Sequence, residues 1–237
     1  MMNGQTRRVA VVTGANRGLG RATARDLAAH GLHVVVAARV LDAAESTARD
    51  LRQAGLAASG HQLDVTDPAS VVRLMADTAH DHGRLDVLVN NAGIAVDRDQ
   101  PAHTADLERA AATMNTNLLG TWRCATAAIA EMRRNGYGRI VNVTTHMDTF
   151  AGLGTGSPAY RISKTAVNAL TVVLAAELAG ENILVNAASP GKVDTRLTYG
   201  KTDRAPEQAT DGFTWLATLP DDGPTGGLFH ARQPLPW

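Results

Sequence analysis

The residues of this sequence best suited to chemistry are Tyr160 and Lys164, which lie in the stretch S-P-A-Y-R-I-S-K. Ser157 and Pro158 precede them and favour the start of a helix, with serine as the N-cap and proline in the first turn. A helix that begins there places the Tyr160 phenol and the Lys164 ammonium on one face. Because a nearby positive charge favours the phenolate, we expect the pKa of Tyr160 to fall from its usual ~10 towards neutrality. The pair could then donate and accept a proton, although the same spacing also occurs in ordinary amphipathic helices.

Bulk properties limit the classes of protein to which the chain can belong. Its 237 residues suit a single α/β domain, and 23 basic side chains balance 23 acidic ones. A net charge of zero and an aromatic content of 4% favour neither a nucleic acid nor an anionic membrane as a partner. The one cysteine, Cys124, cannot form an internal disulfide and is expected to fill space in a helix. Without a recognisable signal peptide or a membrane-spanning run of ~20 apolar residues, the sequence predicts a cytoplasmic protein.

Short apolar runs alternate with helical patterns along the whole chain. Seven runs are predicted to form strands, at residues 9–12, 32–38, 58–63, 85–90, 139–144, 183–188 and 226–230. Most of them are continuously apolar, as expected for strands that are buried on both faces of a parallel sheet. The longest predicted helix covers residues 104–134, with a distortion near Gly120. We therefore predict an α/β fold in one domain over residues 1–237, a Rossmann-type doubly wound parallel sheet of about seven strands with helices on both faces.

A glycine-rich turn follows the first predicted strand directly and opens a helix. It reads T-G-A-N-R-G-L-G and contains Gly14, Gly18 and Gly20. A glycine turn lets the backbone approach a pyrophosphate, and the N-terminus of the following helix offers N–H groups and a favourable dipole. A tight turn alone would also need glycine, but the strand–turn–helix context favours nucleotide binding.

The end of the second predicted strand indicates which dinucleotide would bind. It reads A-A-R and lacks the acid that an NAD site presents to the ribose 2′-hydroxyl. Arg39 lies there instead, and Arg17 in the glycine turn could reach the same side. Two guanidinium groups would hold a 2′-phosphate strongly, so NADP(H) is preferred over NAD(H). The alternative is that both are solvated surface arginines.

Two further segments follow predicted strands, at the edge of the sheet where ligands bind in such folds. Asp64 comes after the third strand and could accept a hydrogen bond from an adenine amino group, or could cap the next turn. Asn91, Ala92 and Gly93 of N-N-A-G come after the fourth strand. Small residues there would let a ribose pass close to the backbone, although a simple turn has the same composition. No spacing of histidine, cysteine and carboxylate residues indicates a metal site.

In this order and at these intervals, the motifs T-G-x-x-x-G-x-G, N-N-A-G, Y-x-x-x-K and P-G resemble those of the classical short-chain dehydrogenases/reductases. The segments A-N-R-G-L-G, L-V-N-N-A-G-I-A, T-N-L-L-G-T and the closing P-L-P-W are most similar to the carbonyl-reductase-like branch of that family. The resemblance extends from about Val9 to the C-terminus. It implies a reversible hydride transfer between a nicotinamide and a carbonyl or hydroxyl carbon of a small-molecule substrate.

The resemblance also implies roles for individual residues. The catalytic residues would be Asn117, Thr145, Tyr160 and Lys164. Tyr160 would act as the acid/base, Lys164 would lower its pKa and hold the nicotinamide ribose, and Asn117 would route protons to Lys164 through water. The residues that would hold the cofactor, from the pyrophosphate and adenosine to the nicotinamide carboxamide, are Gly14, Asn16, Arg17, Gly18, Leu19, Gly20, Arg39, Asp64, Val65, Asn91, Ala92, Gly93, Tyr160, Lys164, Pro190, Gly191, Val193 and Thr195.

Thr145 departs from the family pattern, which has serine at this position. A threonine hydroxyl can still donate to a substrate carbonyl, but its methyl group restricts the rotamer and narrows the site. Ser157 stays open as an alternative donor. Because of this departure, an NADP-binding regulator or scaffold with weak or no catalysis is kept as an alternative function, as is a dehydratase or epimerase on the same fold.

Residues 196–211 are expected to form a short lid over the substrate pocket. With Phe150, Leu153 and Tyr199 nearby, the composition favours a small apolar carbonyl or alcohol compound. The helices around residues 121–132 and at Tyr160 are rich in alanine and apolar on more than one side, which suits a two-fold dimer. The family includes dimers, tetramers and monomers, so a homodimer, a homotetramer and a monomer all stay open.

Overall fold

The computed structural model describes residues 7–98, 100–145, 153–194 and 204–237 of the chain. Its strands are β1 (Val9–Thr13), β2 (His33–Ala38), β3 (Ala58–Gln62), β4 (Val87–Asn90), β5 (Gly138–Val143), β6 (Ile183–Ser189), β7 (Leu228–His230) and β8 (Gln233–Leu235). These strands form one sheet in the order β3-β2-β1-β4-β5-β6-β7-β8. All neighbouring strands run parallel except β8, which pairs antiparallel with β7. The strand order reverses between β1 and β4, and ligands of open α/β sheets bind at such a point.

Helices cover both faces of this sheet. They are α1 (Gly18–Ala29), α2 (Leu41–Gln53), α3 (Pro68–His82), α4 (Leu107–Met114), α5 (Gly120–Asn135), α6 (Pro158–Glu177) and α7 (Asp211–Ala217). One turn of π-helix (Asn115–Leu119) joins α4 to α5, and short 3₁₀ turns cover Ala102–Thr104 and Pro206–Ala209. Among the residues that the structure describes, no helix is both long enough and apolar enough to cross a membrane.

Two hydrophobic cores, one on each face of the sheet, explain why the strand sequences are apolar without alternation. Val12 of β1 packs into the core that contains Leu27 of α1 and Phe213 of α7. Its neighbour Val11 points to the opposite core, which contains Met75 of α3 and is continuous with α5 and α6. Val11 and Val12 are both fully buried, so neither face of β1 reaches solvent.

The predicted fold is confirmed, with one strand more than expected. Strand β8 was not predicted because it is only three residues long and contains Pro234, which cannot donate a ladder hydrogen bond and is tolerated in an edge strand. The predicted long helix is divided by the π turn that ends immediately before Gly120, where a distortion was expected. Of the predicted lid at residues 196–211, the part up to residue 203 lies outside the described residues.

Candidate active site

A cleft of about 830 Å³ runs along the carboxyl ends of strands β1 to β6. This volume lies within the roughly 300–1,000 Å³ that is usual for small-molecule sites. Of the residues predicted to hold a cofactor or to catalyse, all but Asn117 and Thr195 line this cleft. Thr195 lies outside the described residues, and Asn117 is buried behind the cleft wall. The fold therefore brings residues from six strand ends into one site.

The glycine turn between β1 and α1 has the geometry that close approach of a ligand requires. Gly14 has a φ of 64°, a conformation that residues with a side chain rarely adopt. At Gly20 the constraint is space, because a Cβ there would lie 2.5 Å from the Gly14 carbonyl oxygen and would also collide with Asn91. The turn can therefore present its backbone and the α1 N-terminus to the cleft without an intervening side chain.

The N-N-A-G loop after β4 is fastened to this turn. The Thr13 Oγ1 accepts hydrogen bonds from the backbone amides of Asn91 (3.0 Å) and Ala92 (2.9 Å). In return, the Asn91 Nδ2 donates to the carbonyl oxygens of Thr13 (2.9 Å) and Gly14 (3.2 Å). The side-chain amide of Asn91 therefore connects the two loops, and its N–H groups donate to backbone carbonyls rather than into the cleft. Thr13 was not among the predicted site residues, although a hydroxyl at the end of a buried strand and directly before a glycine turn could have indicated this role.

At one end of the cleft, Arg17 and Arg39 are exposed and line the wall. The Asp64 Oδ1 accepts from the backbone amide (2.9 Å) and the hydroxyl (2.7 Å) of Thr66, so the turn-capping alternative for Asp64 is observed. These hydrogen bonds, first that of the Thr66 hydroxyl and then that of its amide, lower the pKa of Asp64, with a smaller contribution from the charge of Arg39. Asp64 also lines the cleft, so an additional contact with an adenine is compatible with this geometry.

Helix α6 carries Tyr160 and Lys164 into the same cleft. Tyr160 is half-buried, whereas Lys164 is only 4% exposed. The Lys164 Nζ donates to the Val143 carbonyl oxygen at the end of β5 over 2.6 Å, which fixes the ammonium at the floor of the site. Thr145 lines the cleft two residues beyond that carbonyl. A phenol, an ammonium and a hydroxyl from two elements therefore face one space.

Asn117 lies in the π turn and is fully buried. Its Oδ1 accepts from the Ile94 amide (2.8 Å), and its Nδ2 donates to the Ile94 carbonyl (2.9 Å) and to the Ser163 Oγ (2.9 Å). A Cβ on Gly93 would lie 3.4 Å from the Asn117 Oδ1 and 3.8 Å from the Lys164 Nζ, so both groups flank the N-N-A-G loop from behind. Ser163, which sequence reasoning missed, donates its own proton to the Tyr160 carbonyl over 2.7 Å.

The N-terminus of α6 is capped differently from the expectation. Ser157 occupies the N-cap position but has φ 52° and ψ 51°, and its side chain makes no capping hydrogen bond. The cap is the carboxyl group of Asp97, whose Oδ2 accepts from the backbone amides of Ala159 (2.6 Å) and Tyr160 (3.4 Å). No local pattern pointed to Asp97, because it precedes the helix by about sixty residues.

At the other end of the cleft, Pro190, Gly191 and Val193 follow β6 and line the wall. The Gly191 amide donates to the Ser189 Oγ (3.2 Å), and an Arg204 guanidinium nitrogen donates to the Pro190 carbonyl (3.0 Å). The predicted P-G segment is thus held to the strand that precedes it and to the chain that follows. Across the described parts of the chain, no three histidine, cysteine, aspartate or glutamate side chains group as metal ligands would.

The chain is similar to a family of dehydrogenases and to several named reductases. The family model for short chain dehydrogenase matches residues 8–205. The "Short-chain reductase protein NovJ" of Streptomyces niveus is 40% identical over 196 residues, covering 83% of this chain and 73% of that protein. The mouse "Carbonyl reductase [NADPH] 1" is 32% identical, covering 98% of this chain and 99% of that protein. The "3-oxoacyl-[acyl-carrier-protein] reductase" of a Synechocystis species is 38% identical, with 92% of each chain covered.

The family match covers most of the chain, and it coincides with the parallel sheet and with the cleft that gathers the glycine turn, the N-N-A-G loop and the Tyr160 helix. The chain therefore belongs to the short-chain dehydrogenases/reductases, a family of nicotinamide-dependent oxidoreductases.

Proposed function

We propose that this protein is an NADP(H)-dependent carbonyl reductase or alcohol dehydrogenase in which Tyr160 is the acid/base. The observation that carries the proposal is the single cleft in which Tyr160, Lys164 and Thr145 share a wall with the glycine turn and the N-N-A-G loop. The substrate is a small carbonyl or alcohol compound. Relatives named as a carbonyl reductase and a 3-oxoacyl-[acyl-carrier-protein] reductase support this class of reaction.

The cleft fits a nicotinamide dinucleotide. The left-handed Gly14 and the space kept open at Gly20 leave room for a pyrophosphate at the α1 N-terminus. Arg17 and Arg39 line the end where an adenosine ribose would lie, and the end of β2 offers no acid to a 2′-hydroxyl. A 2′-phosphate would therefore meet two guanidinium groups, which favours NADP(H). The name of the mouse relative specifies NADPH, in agreement with this preference.

The remaining cofactor contacts follow from the cleft wall. Pyrophosphate and adenosine would be held by Gly14, Asn16, Arg17, Gly18, Leu19, Gly20, Arg39, Asp64 and Val65, and the nicotinamide half by Asn91, Ala92, Gly93, Tyr160, Lys164, Pro190, Gly191, Val193 and Thr195. When bound, the nicotinamide supplies or accepts the hydride.

In the proposed reduction, Thr145 and Tyr160 donate hydrogen bonds to the substrate carbonyl oxygen and hold its carbon near the cofactor. Tyr160 gives its phenolic proton to the oxygen as negative charge develops there. The ammonium of Lys164, anchored on the Val143 carbonyl, favours the phenolate that remains. Asn117, which flanks the same loop as Lys164, takes part in the proton path that reloads Tyr160 through water.

The test follows NADPH consumption with a panel of aldehydes, ketones and quinones, and follows cofactor binding by thermal shift. Tyr160→Phe should keep NADPH affinity and lose at least about 100-fold in kcat, because general acid catalysis contributes roughly 10²–10⁴-fold. Tyr137→Phe is the matched control. It removes a buried hydroxyl that has no hydrogen-bond partner among the described residues, at a position that does not line the cleft, and should leave kcat unchanged. Normal turnover in Tyr160→Phe would remove Tyr160 from the mechanism.

Thr145 favours a second candidate function, an NADP-binding regulator or scaffold with weak or no catalysis. The extra methyl group at the position of the family serine narrows the site and restricts the hydroxyl. Thr145→Ser separates the two candidates. In an enzyme it should retain or raise turnover, whereas a regulator should bind NADPH and stay inactive with every substrate, in both the wild type and the variant.

Three further expectations stay predictions. These are the single domain with a substrate lid at residues 196–211, the cytoplasmic location, and the oligomeric state, for which a homodimer, a homotetramer and a monomer all stay open. Trp122 of α5 and Val173 of α6 are each about half exposed, at 49%, in the isolated chain, which is compatible with contacts between copies. Sedimentation of the purified protein would decide its oligomeric state.

A further inference from the structure

We propose that Asp97 is a positioning residue for the acid/base Tyr160. This inference rests on the function proposed above and adds to it a group outside the sequence motifs described above. Asp97 is 1% exposed and lies on the loop after β4, four residues beyond the N-N-A-G motif. From there its Oδ2 accepts the backbone amides of Ala159 and Tyr160 at the start of α6. Asp97 therefore contacts the backbone of Tyr160, the residue that is proposed to transfer the proton.

Asp97 supplies the cap at the start of α6. The opening N–H groups of a helix have no partner within the helix and need acceptors from outside. Ser157 is in the left-handed region and does not supply one. The Asp97 Oδ1 has no hydrogen-bond partner among the described residues. Both hydrogen bonds of the carboxyl group therefore go to α6, and one of them goes to Tyr160 itself.

The carbonyl of Tyr160 is connected to the same loop as its amide. The Ser163 Oγ donates to that carbonyl over 2.7 Å and accepts from the Asn117 Nδ2 over 2.9 Å. Asn117 in turn clamps both backbone groups of Ile94, three residues before Asp97. The amide and the carbonyl of Tyr160 are therefore both tied, through Asp97 and through Ser163, to the loop at residues 94–97.

The loop that carries Asp97 is also connected to the glycine turn. Its beginning is the N-N-A-G segment, which Thr13 and Asn91 fasten to the glycine turn. We therefore expect a displacement of this loop to reach the start of α6 through this path of hydrogen bonds. Asp97 is the last link in that path, and it sets the distance between the phenol and the floor of the cofactor site. Misplacement of about 1 Å can cost on the order of 100-fold in rate.

Asp67 offers a control that separates positioning from simple helix stability. Its Oδ1 accepts from the Ala69 amide over 2.9 Å and caps α3 in the same chemical way. Helix α3 contributes no residue to the cleft wall. Its Ser70 Oγ accepts from the backbone amide of Asp64, a proposed cofactor residue, over 3.1 Å. Removing the carboxylate cap at Asp67 therefore lowers stability without acting on the start of α6, and kcat is compared at saturating NADPH.

The experiment compares Asp97→Ala, Asp97→Asn and Asp67→Ala with the wild type, using NADPH and the best carbonyl substrate of the panel. For Asp97→Ala we expect kcat to fall about 10- to 100-fold, with the Kd for NADPH unchanged within about twofold. Asp97→Asn keeps an oxygen that can accept from both amides and should recover most of kcat. Asp67→Ala should lower Tm and leave kcat unchanged. Hydrogen exchange should show that the Ala159 and Tyr160 amides lose protection in Asp97→Ala alone.

Unchanged kcat in folded Asp97→Ala, or an equal loss of kcat in Asp67→Ala, would overturn the inference. If Asp97→Ala does not fold, Asp97→Ser takes its place, because its shorter hydroxyl cannot span the same gap and the same loss of kcat is expected. A wild type that binds NADPH but reduces no substrate would overturn the proposed function, and this inference with it. Loss of kcat in the Asp97 variants requires an active wild type, so the two failures are distinguishable.

Discussion

Replacing Arg39 tests the cofactor assignment most directly. Arg39 follows β2 directly, is exposed to solvent and lines the cleft at the end where the adenosine is proposed to lie. If it holds a 2′-phosphate, Arg39→Ala removes a charge-assisted contact that NADPH makes and NADH does not. The effect should therefore appear in one cofactor only.

The magnitude follows from the exposure of the guanidinium. A hydrogen bond to a charged group contributes about 1.5–3 kcal/mol, and we take the lower limit because water competes at this position. Since about 1.4 kcal/mol corresponds to a factor of ten, kcat/KM for NADPH should fall about tenfold in Arg39→Ala. Arg39→Asp adds repulsion of the phosphate and an acceptor for a ribose hydroxyl. Its NADPH/NADH preference should shift by about 100-fold or more.

The assay measures kcat/KM for both cofactors at a fixed, saturating concentration of the carbonyl substrate and at low ionic strength, where charge contacts are least screened. The charge of Arg39 helps to lower the pKa of Asp64, so its loss lets that pKa rise. At pH ~7.5 the Asp64 carboxylate stays ionised in either case. Arg25→Ala, which removes an exposed arginine of α1 that does not line the cleft, is the matched control.

An unchanged ratio of the two kcat/KM values in Arg39→Asp would refute the assignment of Arg39 to the 2′-phosphate. An equal loss for NADPH and NADH would also refute it, because a contact with the phosphate cannot affect a cofactor that lacks one. A shift of similar size in Arg25→Ala would show that the effect is due to the overall charge of the protein.

Two further changes test the glycine turn and the histidines at the opposite edge of the sheet. Gly20→Ala places a Cβ 2.5 Å from the Gly14 carbonyl oxygen and should lower the free energy of unfolding by about 1–3 kcal/mol. The effect should be seen as a lower Tm and as weaker NADPH binding. The control is Gly212→Ala, whose Cβ would meet nothing closer than 3.5 Å and which should change neither Tm nor NADPH binding. Burial, followed by the charge of His82, lowers the pKa of His33 from 6.5 to about 4. Between pH 6.5 and pH 4 the His33 imidazole binds a proton in the unfolded chain more readily than in the folded one. The free energy of unfolding should therefore fall as the pH drops through this range, by on the order of 1–2 kcal/mol after allowance for solvent screening. Urea titrations should show a smaller loss in His33→Gln, and a steeper or equal loss would contradict the reasoning.

Most of the sheet could be predicted because burial on both faces leaves a direct trace in the sequence. Val11 and Val12 must both be apolar, since they enter opposite cores. Strand β8 left no such trace. It has one partner strand, and its pairing depends on the turn that follows β7.

The site was predictable to the extent that its chemistry is local. Residue type and position after a strand identify the glycine turn and Arg39, and helical spacing identifies the Tyr160–Lys164 pair. Ser157 shows where this reasoning ends. It is a favourable N-cap residue at the correct position, yet its backbone is left-handed and another side chain performs the capping.

The sequence by itself determined which chemical groups are available and at which strand ends and helix positions they lie, because periodicity, turns and caps are properties of neighbouring residues. Only the tertiary structure decided which groups are engaged with each other. Asp97 caps a helix that begins some sixty residues later, and the side-chain amide of Asn91 donates to the backbone of the glycine turn. The physical reason is that a buried polar group must find a partner, and the partner is whichever group the folded sheet brings within hydrogen-bonding distance, whatever its place in the chain.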